Sequence, residues 1–190
     1  MNPSEALRNG DALVIVDVQN DFCPGGALPI EGGHDIVPVL NRWIEAAVQA
    51  GVPIYASRDW HPEGHVSFAE GGGKWPPHCV QDTEGAAYHP ELRLPEGTIK
   101  VTKGTRFDHD QNSVFDQTGL AEELRRKGIR RLWVGGLALD VCVLATVLDA
   151  RREGFEVTVI QDATRGVTPE GCAAAERAMR EAGASFTTTT

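Results

Sequence analysis

Apolar residues in this chain come in short blocks separated by polar, glycine-rich stretches. Four blocks read as strands: LVIV (13–16), VPIYAS (52–57), TIKVT (98–102) and LWV (132–134). Between them the spacing turns helical. Ile36, Leu40, Trp43, Ala47 and Val48 predict a helix over about Asp35 to Ala50, stopped by Gly51. Shorter helices are expected over Leu120 to Lys127 and about Asp140 to Glu153. FEVTVI (155–160) reads as a fifth strand. Thr168–Pro169 reads as a cap and first turn for a final helix to about residue 182, and ASF as a short sixth strand. Strands alternating with helices predict an α/β fold: three layers, with a central, mostly parallel sheet of about six strands. One domain over residues 1–190 is expected, with Thr187–Thr190 as a frayed tail.

The four strands run out into Asp17, Asp59, Lys103 and Cys142. In an open parallel sheet, ligands bind in the crevice outside the carboxyl ends of the strands. An acid, a metal-type ligand, an ammonium and a thiol should therefore face one crevice. An isolated Cys is more often a buried apolar residue, and Cys172, mid-helix among alanines, reads that way. Cys142 lies in a glycine-rich strand-to-helix turn, where unpaired N–H groups favour an anion, so an easily formed thiolate is expected. Asp17 is placed to accept the thiol proton, and Lys103 to balance both anions.

Residues 58–97 have no helical period and carry four histidines and two tryptophans, which marks a functional loop. Asp59-x-His61 puts two ligand types on the same side of an extended chain, with His65 and His78 following. Carboxylate plus imidazole suits zinc, iron or manganese.

Composition narrows the field. The chain has 190 residues and a net charge of −9, which argues against non-specific nucleic-acid binding. No apolar run reaches the ~18–20 residues of a membrane span, and the polar start MNPSEALRNGD lacks a signal-peptide core. The four cysteines form no C-x-x-C pair, so mostly free thiols in a reducing, cytoplasmic compartment are expected.

LVIVDVQNDF, RDWHPEGHVSF, KWPPHCVQDT, VTKGT and GGLALDVCV, in this order, resemble the nicotinamidase branch of the isochorismatase-like cysteine hydrolases. The resemblance implies a catalytic triad of Asp17, Lys103 and Cys142. It implies one divalent metal, zinc first with iron or manganese as alternatives, on Asp59, His61 and His78. His65, then Glu70, are candidates for a further ligand. It implies Phe22 and Trp75 around a pyridine ring, and the N–H groups of Ala138 and Cys142 around an oxyanion. The Leu137–Ala138 bond is expected to be cis. The implied reaction converts nicotinamide to nicotinate and ammonia through a Cys thioester, in NAD salvage, with pyrazinamide as a second substrate. The alternative is an amidase or carbamoyl hydrolase of the same superfamily acting on another small amide; a non-catalytic binding module is a more distant reading. Relatives form monomers and larger assemblies, which leaves self-association open. Asn112 departs from the resemblance, standing where many relatives carry an aromatic pocket residue.

Overall fold

The computed structural model describes residues 1–190. The chain runs α1 (Pro3–Ala6), β1 (Asp11–Val16), α2 (Ile36–Ala50), β2 (Ile54–Asp59), β3 (Ile99–Lys103), α3 (Leu120–Arg126), β4 (Arg131–Leu137), α4 (Leu144–Arg152), β5 (Glu156–Arg165), α5 (Pro169–Glu181) and β6 (Ser185–Thr187). The six strands form one sheet in the order β3-β2-β1-β4-β5-β6, and every neighbouring pair is parallel.

Both faces of this sheet are covered, which is why its strands are almost continuously apolar. Along β1, Leu13 and Ile15 point into a core shared with Ile36, Leu40 and Trp43 of α2. Ala12, Val14 and Val16 point the other way, into a core built with Leu124 of α3, Val147 of α4 and Met179 of α5. Trp43 is fully buried and packs on Trp133, 5.1 Å between ring centroids. Val48, assigned to the apolar face of α2 by its spacing, faces solvent instead. The last turn of α2 rotates it off the sheet.

The order of the strands decides where a site can form. From β1 the chain adds β2 and β3 on one side, then crosses to place β4 on the other. The crevice beyond the carboxyl end of β1 lies at this reversal. Thr168 caps α5 as its spacing indicates, its hydroxyl accepting the Gly171 N–H at 3.0 Å. The tail expected to fray is tied down. Thr189 accepts a bond from the Trp43 indole at 3.0 Å, and its N–H donates to Asp162 at 3.0 Å. No helix is long and apolar enough to cross a membrane.

Candidate active site

Asp59 and Lys103 are the last residues of β2 and β3 and stand opposite each other in register. Neighbouring register positions share a face of the sheet, so the two side chains meet. Asp17 follows β1 directly. Its φ of 49° lies in the left-handed region, uncommon for a residue other than glycine and held here by its surroundings. Cys142 does not end a strand. It sits five residues past β4, inside a π turn (Leu139–Val143) in which the Val143 N–H reaches back to the Ala138 carbonyl.

These elements bring the predicted groups together. The Lys103 ammonium, fully buried, donates to Asp17 Oδ2 at 2.7 Å, to Asp59 Oδ1 at 2.6 Å and to the Gln111 carbonyl at 3.2 Å. Those three bonds use all of its donors, and the Cys142 sulfur lies 3.7 Å away. The sulfur, one carboxylate oxygen of Asp17 and one of Asp59 fall within 4.8 Å of one another. The Ser57 hydroxyl donates to Asp17 Oδ1 at 2.6 Å and accepts the Asp17 N–H at 3.2 Å.

The electrostatics follow from burial and from the count of charges. Burial alone would strip the proton from Lys103, but Asp17 and Asp59 outweigh it and hold the ammonium well above its ordinary range. Two carboxylates compete for that one cation. For Asp17, burial wins over Lys103 and the carboxyl is raised. For Asp59, Lys103 and His61 outweigh burial and the carboxyl is lowered. Burial also pushes the Cys142 thiol well above its ordinary value, against the pull of Lys103 and with Asp17 and Asp59 adding to it. This corrects the expectation of an easily formed thiolate. A third anion beside two carboxylates and one ammonium is uncompensated, and the helical turn does not offset the lost water.

Beside this cluster lie Asp59, His61 and His78, their ligating atoms within 4.8 Å of one another. His61 Nδ1 bonds the His78 carbonyl at 2.9 Å and His78 Nδ1 bonds the Pro76 carbonyl at 2.8 Å. A carbonyl only accepts, so each Nδ1 carries the hydrogen and each Nε2 keeps a free lone pair. Burial holds His61 below its ordinary pKa, in the neutral form that a metal requires. Two free imidazole nitrogens and one carboxylate oxygen suit a divalent first-row ion. Phe68, buried, packs its ring against His61, His65 and His78. His65 is already engaged: Nε2 bonds the His109 carbonyl at 3.2 Å, which leaves Nδ1 to accept from the Ser67 N–H at 3.2 Å. Glu70 is exposed in the same loop.

Phe22, Trp75 and Ala138 line one pocket with Asp59, His61, His78 and Cys142. Asp17 and Lys103 are fully buried and do not line it. The Leu137–Ala138 peptide is cis. Gly104, at φ 70°, turns the chain under the imidazole; a Cβ there would stand 2.8 Å from His61 Nε2.

Two buried glutamines that sequence reasoning passed over hold the arrangement. The Gln19 side chain accepts the Asp59 N–H at 2.9 Å and donates to the Asp59 carbonyl at 2.8 Å, clamping that residue's backbone. Gln111 accepts the Gly104 N–H at 2.8 Å. Gln19 lies within the LVIVDVQNDF motif, but neither the motif nor its place two residues past Asp17 indicates that it would clamp Asp59.

With this geometry in place, comparison with known proteins decides the family. A model of the isochorismatase domain matches residues 11–190. The chain belongs to the isochorismatase-domain family. Among its relatives, the nicotinamidase of Escherichia coli K12 is 41% identical over 93% of this chain and 94% of its own. The crystal structure of the pyrazinamidase of Pyrococcus horikoshii in complex with zinc is 44% identical, with a TM-score of 0.91 over 94% of this chain and 99% of its own. That of PnC1 from L. infantum in complex with nicotinate is 38% identical, with a TM-score of 0.88 over 95% and 93%. The six-stranded parallel sheet with helices on both faces is thus the isochorismatase-like fold of this family.

Proposed function

We propose that this isochorismatase-domain protein is a metal-dependent nicotinamidase that also hydrolyses pyrazinamide, working through a thioester on Cys142. The observation that carries the reading is the convergence of Asp17, Lys103 and Cys142 on one point. It is supported by the adjoining Asp59, His61 and His78 set and by similarity to enzymes named nicotinamidase and pyrazinamidase.

The raised thiol and the raised carboxyl suit each other. Cys142 stays protonated until substrate arrives, and Asp17 is then basic enough to take its proton. The sulfur attacks the carboxamide carbon while the S–H proton passes to Asp17. The N–H groups of Ala138 and Cys142 receive the developing oxyanion; one such donor is typically worth about 2.7–4 kcal/mol of barrier. Asp17 returns the proton to the leaving nitrogen, and ammonia departs. Water, deprotonated by Asp17, then cleaves the thioester to nicotinate, and the thiol is restored. Lys103 keeps its charge throughout and orients Asp17. Asp59, His61 and His78 would hold a divalent ion, zinc or a first-row neighbour, whose Lewis acidity suits the pyridine ring nitrogen and water. Phe22 and Trp75 supply apolar walls for a flat ring.

On this reading the protein recycles nicotinamide toward NAD, and a reducing cytoplasm, where four free cysteines would stay reduced, suits it. The test is ammonia release from nicotinamide by metal-analysed protein and by Cys142→Ala. Loss of about 10⁴-fold or more in the variant is expected for a nucleophile. Full activity in the variant ends the assignment.

A further inference from the structure

Asn112 stands at the mouth of the pocket on the stretch between β3 and α3. Its side chain is exposed to the pocket, and its one hydrogen-bonding contact is with the nucleophile: Oδ1 lies 3.9 Å from the Cys142 sulfur. The charged side chains in contact with that sulfur are engaged. Lys103 has spent its three donors, and Asp17 is held by Ser57 and Lys103. Of the exposed polar side chains lining the pocket, Asn112 is the one in contact with the sulfur; Asp110 lines the pocket as well but makes no such contact.

A carbonyl carbon poised for attack sits about 3–3.5 Å from the nucleophile. The oxygen and nitrogen of a carboxamide are one bond from that carbon. Asn112 and Cys142 line the same pocket, so Oδ1, 3.9 Å from the sulfur, lies on the side from which an amide must approach, and its oxygen or nitrogen can come within hydrogen-bond reach there. The oxygen turns toward backbone N–H groups, which leaves the –NH₂ for Oδ1. Asp17 serves the nitrogen lone pair from beneath; Asn112 serves an N–H from above. We propose, on the basis of the amide-hydrolase reading above, that Asn112 is a substrate-binding residue that accepts a hydrogen bond from the carboxamide –NH₂ and so selects primary amides.

The discriminating probes are nicotinamide and nicotinaldehyde. Both carry the same ring and a carbonyl that the thiol can add to, but the aldehyde has no –NH₂. Asn112→Ala removes the acceptor and Asn112→Leu replaces it with an apolar group of similar size. In both variants kcat/KM for nicotinamide should fall about tenfold, the effect of one net hydrogen bond, while the nicotinaldehyde inhibition constant stays within about twofold of wild type. Unchanged turnover in Asn112→Ala, or an equal loss for both probes, overturns the proposal and leaves the nicotinamidase reading standing. A wild-type protein that releases no ammonia from nicotinamide overturns both.

Discussion

Strand β1 carries an aspartate at each end, and the two have opposite lives. Asp11 opens the strand, is 2% exposed and is fully served. The Arg131 guanidinium grips it at 2.9 and 2.6 Å, the Trp133 indole donates at 3.0 Å, and the Arg8 N–H donates at 3.0 Å. One carboxylate meets one cation in the bidentate geometry that arginine offers. Asp17 follows the strand, is fully buried, and shares one ammonium with a second carboxylate. Its backbone is left-handed and its carboxyl is raised. The comparison teaches that burial and pairing alone do not mark a site. What marks one is an unequal count of charges, which leaves a proton with somewhere to go.

Loss of Lys103 should have the largest effect. Lys103→Met leaves two buried carboxylates without their cation, and removing one partner of a buried ion pair costs about 3–5 kcal/mol. Denaturant unfolding of the metal-free protein should show a loss of this size, together with lost turnover. A variant as stable as wild type would mean that Asp17 and Asp59 are not both ionised.

Metal content gives the next largest effect. His61→Ala should fall to background occupancy by elemental analysis. Gly104→Ala should also lose metal, because the added Cβ meets His61 Nε2. Full occupancy in both would displace the ion from the Asp59, His61 and His78 set.

Asp11→Asn sharpens the contrast. It keeps some hydrogen bonds and loses the charged pair with Arg131, so stability should drop by about 1.5–3 kcal/mol. The kcat of the folded fraction should match wild type. A large fall in kcat would show that the two ends of the strand are coupled.

The smallest effect is on pH. Asp17 acts as a base only when ionised, and burial raises its pKa. As pH falls through that raised value Asp17 takes up a proton and kcat/KM should decline. At saturating metal, the acid limb should therefore lie above the ordinary Asp value of about 3.9. A profile flat to about pH 4 would contradict this.

The fold was legible because strands buried on both faces leave continuous apolar runs, and helix stops at Gly51 and the cap at Thr168 are local signals. The loop that follows Asp59 and carries His61 and His78 was legible as chemistry through its clustered histidines beside that aspartate. Other features were not legible. The π turn under Cys142 depends on how β4 meets α4, and the thiol's state depends on burial by distant segments, which outweighed the local helix-terminus signal. Gln19 acts through the backbone of Asp59, 40 residues along the chain, and Gln111 through a turn whose path the local pattern does not specify.

Asp17→Asn keeps the shape of the side chain and removes the base. Ammonia release from nicotinamide by the folded, metal-loaded variant should fall by about 10³-fold or more, as expected when one member of a nucleophile–base unit is lost. A rate within about tenfold of wild type would show that Cys142 passes its proton elsewhere.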